Sequence, residues 1–187
     1  MRSAFLALAA LLVLAAPAGV PGAANAANLS ATPSNLASVF NSAQPGDTIA
    51  LASGDYGTFR GGAKGGMVTL QPASGAAATM SASFAGASNI TLAGLTMKGL
   101  DISGKSHDLR VLNSAFTGQA DLDMTGNANA NILIDGNTFD GISVCASCAE
   151  GRLEVRQYPL GSQPVGVTIS HNHFGGAGQS DGVQDGA

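Results

Sequence analysis

The sequence contains no tryptophan and few charged side chains. Charged residues occupy 11% of its 187 positions and aromatic residues 5%. A charged fraction below half the usual quarter argues against a long solvated helix, a coiled coil and an acidic disordered tail. The formal net charge of −4 gives no basic footprint, so a nucleic-acid partner is not expected. In contrast, the 26 glycines and the 45% hydrophobic content favour a turn-rich all-β protein.

The first residues have the pattern of a secretory signal peptide. Arg2 supplies one positive charge, residues 4–16 form an uninterrupted apolar run, and Ala24-Asn25-Ala26 supplies small residues for cleavage. The run of 13 residues is shorter than the about 20 that a membrane-spanning helix needs. We therefore predict a signal peptide over 1–26, a secreted or extracellular mature domain over 27–187, and no membrane insertion.

Cysteine is also scarce. The two cysteines, Cys145 and Cys148, are separated by two residues, and no second pair is present to complete a zinc site. Outside the cytoplasm, such a pair favours a disulfide that closes a small loop. We therefore predict a Cys145–Cys148 disulfide.

Four segments, which begin at Ser88, His107, Ala130 and Val165, align without gaps. Each has two aliphatic residues at alternate positions, a Met or Phe seven residues after the first of them, and a glycine nine residues after it. The aligned sets are Ile90, Leu109, Ile132 and Val167; Leu92, Val111, Ile134 and Ile169; Met97, Phe116, Phe139 and Phe174; and Gly99, Gly118, Gly141 and Gly176.

The repeat predicts a parallel β-helix. Successive copies are 19, 23 and 35 residues apart, and 49–51 and 68–70 resemble degenerate earlier copies. A short alternating strand cannot bury its aliphatic residues alone, whereas stacked coils about 4.8 Å apart bury them in continuous columns. We expect the glycines to bend the chain with positive φ. Asn113, Asn137 and Asn172 lie at or next to one turn position, where they could form a ladder or separate Asx turns.

A short amphipathic helix is predicted before the repeats, over 32–41. Thr32 is placed to cap it and Pro33 suits its first turn. A solenoid must cover its open apolar end, and such a helix could do so. Its apolar face contains Leu36, Val39, Phe40 and Ala43.

After this helix, the chain resembles the opening of secreted right-handed parallel β-helix proteins. The resemblance rests on 44–49, Gln-Pro-Gly-Asp-Thr-Ile, on 54–56, Gly-Asp-Tyr, and on the coils over about 30–187. This superfamily includes polysaccharide lyases that act on pectate, alginate and dermatan-type uronic acid polymers. The resemblance implies a right-handed coil and a polysaccharide or cell-surface glycan as partner. Because such proteins usually run longer, we expect 27–187 to be incomplete at its C-terminus. We also expect the protein to be a monomer.

A lyase must neutralise the uronate carboxylate before a base removes the C5 proton. Arg110, Arg152 and Arg156 are the candidates for neutralisation, and Asp181 is a further catalytic candidate in a segment similar to β-helix carbohydrate enzymes. No spacing selects a base among Lys98, Lys105 and the histidines. The candidates for substrate binding are Arg156, Tyr158, His173 and Gln184.

Each of these assignments has an alternative. Arg110 lies one coil from Asp135, so the two are expected to form a surface ion pair. The segment 143–164 could be a binding loop on the flank or an ordinary solvated excursion. Asp121 and Asp123 share one strand face and make Ca²⁺ a candidate cofactor, although no metal site is defined. At the level of function, the alternative to a lyase is a non-catalytic extracellular glycan-binding or surface-interaction module.

Overall fold

The computed structural model describes residues 26–127, 130–140, 152–156 and 166–175, together with the backbone of 183–186. These residues form an all-parallel β-solenoid of about 5 turns, which confirms the predicted fold class. The handedness of the coil stays a prediction. The strands are β1 (Asn28–Ala31), β2 (Thr48–Leu51), β3 (Gly54–Phe59), β4 (Ala63–Pro72), β5 (Ala78–Ala85), β6 (Ser88–Ala93), β7 (Thr96–Ser103), β8 (His107–Leu112), β9 (Ala115–Phe116), β10 (Ala120–Asp123), β11 (Ile132–Asp135), β12 (Thr138–Asp140), β13 (Leu153–Arg156), β14 (Val167–Ser170), β15 (His173–Gly175) and β16 (Val183–Gly186).

The strands form three faces. The first face is the sheet β1-β2-β4-β6-β8-β11-β14. The other strands form one sheet that bends, because the start of β7 pairs with β9 whereas its end pairs with β10. We call the part with β9, β12 and β15 the second face, and the part with β10, β13 and β16 the third face. A coil therefore runs along all three faces, and in the coil of β6 and β7 the single strand β7 supplies both the second and the third face.

The repeat alignment is confirmed by the strand register. Leu109 pairs with Ile90 on one side and with Ile132 on the other, and Ile132 pairs with Val167. The same register puts Phe139 between Phe116 and Phe174, with ring centroids 4.3 and 4.8 Å away. These columns form the core, because each inward residue buries its surface against the equivalent residue of the neighbouring coils.

The earliest copies differ from the predicted alignment. Ile49 pairs with Leu70 rather than with Val68, so the register is shifted by two residues. A shift of two keeps every side chain on its predicted side of the strand, and Ile49 and Leu70 are both buried. The structure also contains a rung that the sequence pattern did not reveal, β1, in which Leu29 pairs with Ile49.

The repeated glycines have a different role from the predicted one. Neither Gly99 nor Gly118 has a positive φ, and Gly141 and Gly176 lie outside the described residues. A Cβ atom on Gly118 would overlap the carbonyl oxygen of Lys98 on the previous coil, so close backbone approach explains this glycine. A left-handed residue instead follows each of the first-face strands β6, β8, β11 and β14, and these residues are Gly94, Asn113, Gly136 and His171.

Helix α1 spans Leu36–Ser42, so it begins later than predicted. The N-cap residue is Asn35 rather than Thr32, and its side chain makes no capping hydrogen bond. Thr32 instead begins a turn in which its carbonyl oxygen accepts the N–H groups of Asn35 and Leu36 at 3.1 Å. The predicted apolar face is confirmed, because Leu36, Phe40 and Ala43 are buried in the core. The role of this helix as a cap stays a prediction.

A polar ladder occupies the turn between the first and second faces. Asn137 Oδ1 accepts the N–H of Ser114 at 2.9 Å, and Asn172 Oδ1 accepts the N–H of Asn137 at 2.9 Å. Asn137 Nδ2 also donates to the carbonyl oxygen of Val111 at 2.9 Å. The predicted ladder is therefore present, but with Ser114 in the position that had been expected for Asn113, which lies one residue earlier.

Candidate functional site

The third face carries a column of polar side chains on its outer surface. Ser83, Asp101, Asp121 and Glu154 occupy equivalent outward positions on four successive coils. In the register of the backbone, Gln184 follows Glu154 on the next strand. Arg60 comes before Ser83, and its Nη1 donates to Ser83 Oγ at 3.2 Å. We call Ser83, Asp101, Asp121 and Glu154 the third-face column.

Arg156 lies beside this column and is paired with it. Its Nε donates to Asp121 Oδ1 at 3.1 Å, and its Nη2 donates to Asp121 Oδ2, which makes a bidentate pair across neighbouring coils. Glu154 Oε1 is 3.6 Å from the same Nε. Arg156 therefore contacts two members of the column, Asp121 and Glu154. Its side chain is 45% exposed, so the guanidinium remains at the surface.

Asp123, next to Asp121 on this face, points into a local turn. Its Oδ1 accepts the N–H of Thr125 at 3.0 Å, and the hydrogen bonds from the hydroxyl and N–H of Thr125 lower the pKa of Asp123. Among the described residues, no three His, Cys, Asp or Glu side chains are arranged to hold a metal ion. The Asp121 and Asp123 carboxylates are therefore polar groups on the surface, and Asp121 is already bound to Arg156.

Arg110 lies on the first face, away from the third-face column. It is exposed, and its charge adds to the lowering of the pKa of Asp108, whose largest cause is the hydrogen bond with His107. Asp108 Oδ2 is 2.7 Å from His107 Nδ1. Arg110 and Arg156 therefore belong to different faces of the solenoid, and the structure does not bring them together.

The predicted ion pair between Arg110 and Asp135 is wrong. Asp135 Oδ1 instead accepts hydrogen bonds from Ser170 Oγ and from His171 Nδ1, each at 2.7 Å. Both partners come from the next coil, because Ser170 pairs in register with Asp135. Asp135 thus joins two coils through its carboxylate.

This arrangement predicts a dependence of stability on pH. The hydrogen bond from Ser170, followed by that from His171, lowers the pKa of Asp135 below its ordinary value of 3.8. The ionised carboxylate therefore stabilises the fold above pH 3.8, and this contribution is lost as the pH falls through the lower folded-state pKa. We expect Asp135→Asn to flatten this part of a plot of unfolding free energy against pH, measured by urea denaturation.

Ser170→Ala is the matched variant for this prediction, because it removes the larger cause of the shift and leaves the carboxylate. It should raise the pKa of Asp135 toward its ordinary value of 3.8, so the stability lost as the pH falls below 3.8 should be smaller than in the unmodified protein. Parallel curves for the unmodified protein and Asp135→Asn at acid pH would contradict the assignment.

Arg152 and Arg156 belong to the solenoid wall rather than to a flanking loop. They lie at the start and end of the segment that includes β13, where Leu153 and Val155 point inward. Arg152 is 4% exposed, so it does not present a guanidinium at the surface for a substrate. The alternation in 153–156, Leu-Glu-Val-Arg, is the sequence signal for this strand, and it lies inside the long segment 143–164.

The remaining candidates are separated or lie outside the described residues. His173 is on the second face, where its Nε2 is 3.4 Å from Asp140 Oδ1. Asp181, Tyr158, Cys145 and Cys148 lie outside the described residues, as does the predicted signal peptide up to residue 25. The predicted catalytic role of Asp181, the substrate-binding role of Tyr158 and the disulfide of Cys145 and Cys148 therefore stay predictions.

Comparisons with known proteins found no match. No family profile matches the chain, and neither the curated proteins nor the solved structures contain a significant match. Over the part of the chain that the structure describes, no helix has the length and apolar character needed to cross a bilayer.

Proposed function

We propose that this protein is a secreted solenoid that binds a polysaccharide along its third face. The observation that carries the proposal is the third-face column, in which an outward polar side chain recurs at the same position on successive coils. Neighbouring coils are about 4.8 Å apart, so a ligand lying along the solenoid axis meets similar chemistry at regular intervals. A repeating polymer suits such a surface better than a compact ligand does.

The chemistry of the column favours hydroxyl groups. Asp101 is exposed and makes no ion pair with any described residue, whereas the Asp121 carboxylate accepts hydrogen bonds from Arg156 and the Glu154 carboxylate lies 3.6 Å from Arg156 Nε. Hydroxyl donors bind well to carboxylates because the charge strengthens the hydrogen bond. A uronic acid polymer carries the same charge as the column, so its binding here requires a bridging divalent cation such as Ca²⁺.

Binding without cleavage is the better supported form of this proposal. β-Elimination needs a cation at the uronate carboxylate and a base at the C5 proton of the same sugar. Arg110 is on another face, Arg152 is buried, and Arg156 is already paired with Asp121. The described residues do not assemble the two groups around one position.

The test is affinity electrophoresis of the secreted protein in gels containing pectate, alginate, dermatan sulfate or a neutral glucan, with and without Ca²⁺. We expect retention by the neutral polymer without added metal, and retention by the acidic polymers only with Ca²⁺. Asp101→Ala should weaken retention roughly tenfold or more, the loss of one charged hydrogen bond.

Asp140→Ala is the matched control, because Asp140 is an exposed aspartate on the second face. Equal effects of the two substitutions, or no retention by any of the polymers, would overturn the proposal. Formation of unsaturated uronate, detected by its ultraviolet absorbance, would instead show that the protein cleaves its ligand.

A further inference from the structure

A groove opens at the N-terminal end of the solenoid, between α1 and β3. Its volume is about 280 Å³. Buried apolar side chains of Leu36, Phe40 and Phe59 line its floor, and the exposed residues Asn41 and Arg60 lie at its rim. The groove therefore combines an apolar surface with polar groups at one edge, as small-molecule sites do.

The walls of the groove are held in place by packing. The rings of Phe40 and Phe59 meet edge to face with centroids 5.1 Å apart. Lys64 Nζ donates to the carbonyl oxygens of Phe40 at 2.7 Å and Asn41 at 3.3 Å, which fixes the end of α1 against the solenoid. The groove is thus formed before any ligand arrives, so binding costs little reorganisation.

The charge around this groove is unusual for an acidic protein. The chain has 12 acidic residues, but none lines the groove. Arg60 donates to the neutral Ser83 hydroxyl, and none of the ion pairs among the described residues includes Arg60. Lys64 adds a second positive charge close to Asn41. The rim therefore attracts an anion, although the protein as a whole carries net negative charge.

We propose that this groove binds a small carboxylate, with the ligand ring on the apolar floor and the carboxylate at Arg60. A guanidinium with free donors binds a carboxylate bidentately. The volume is at the lower end of small-molecule pockets, which suits one six-membered ring. Such a ring could belong to a uronate sugar or to an aromatic acid. This site borders the third-face column, since Arg60 also donates to Ser83, but the proposal does not rest on the polysaccharide proposal.

Calorimetric titration of the full chain with glucuronate, benzoate and glucose tests this proposal. We expect the two carboxylates to bind and glucose to bind at least roughly tenfold more weakly, because it lacks the charged group. Tighter binding of glucuronate than of benzoate would assign the site to sugar acids, and the reverse order would assign it to aromatic acids. Equal binding of glucose and glucuronate, or no binding of either carboxylate, would overturn the proposal.

Two substitutions locate the site. Arg60→Gln should weaken carboxylate binding roughly tenfold or more, and Ala37→Trp should block it by filling the groove. Arg110→Gln is the control, since it removes an exposed arginine elsewhere on the solenoid. An unchanged affinity in Arg60→Gln would refute the assignment. Binding of the small carboxylates by a protein that none of the polymer gels retains would separate failure of the polysaccharide proposal from failure of this one.

Discussion

Replacing Phe139 with alanine is expected to lower the free energy of unfolding by about 3–5 kcal/mol. The Phe139 ring is 0% exposed and is stacked between Phe116 and Phe174. Truncation removes buried apolar surface and leaves a cavity that the neighbouring rings, each fixed in its own coil, cannot fill. Urea denaturation followed by circular dichroism measures the change.

Phe174→Ala is the control for this prediction. Phe174 has the same place in the column but is only partly buried, so its truncation should cost clearly less than that of Phe139. A loss below about 1 kcal/mol for Phe139→Ala would show that stacking of the coils does not depend on this column.

Asn137→Ala is expected to destabilise the protein by about 3 kcal/mol, through the polar ladder rather than the apolar core. Asn137 is 1% exposed. Its amide accepts the N–H of Ser114 and donates to the carbonyl oxygen of Val111, and alanine leaves both groups buried without these partners. An unpaired buried polar group costs about 1–3 kcal/mol. The two unpaired groups together therefore destabilise the protein more than the reduced side-chain volume does.

Asn113→Gly is the matched control, because it also removes an asparagine side chain from a turn of the same solenoid. Asn113 is exposed and has a φ of 48°, which glycine adopts readily. We expect its stability to change by less than about 0.5 kcal/mol. Equal losses for the two variants would mean that the ladder stabilises the turn no more than ordinary turn geometry does.

The repeats could be predicted from the sequence because the columns impose a local pattern. An inward residue must be apolar in every coil, so Leu109, Ile132 and Val167 show the repeat even though the spacing between them changes. Side-chain alternation along a strand then assigned Arg110 to the outer surface. The first conclusion depends only on the repeat of apolar residues from coil to coil, and the second only on the two-residue alternation along a strand.

The strands β1 and β13 were not predicted because neither belongs to a repeated segment that could be aligned. Each is four residues long, and a short alternating stretch by itself is ambiguous. Leu153 and Val155 become recognisable as a rung only when β10 lies beside them. Arg152 and Arg156 were therefore assigned to a loop rather than to a sheet.

The sequence alone determined that the chain coils and which side chains point inward, since burial of alternating aliphatic residues requires both. Only the tertiary structure decided which outward groups meet. Arg156 contacts Asp121 and His171 contacts Asp135, although 35 and 36 residues separate the partners. These contacts depend on the number of residues in each coil and on its register with the next. The apolar pattern gives the register where repeats align, as for Asp135 and Ser170, but it does not encode which of the neighbouring outward side chains bond to one another.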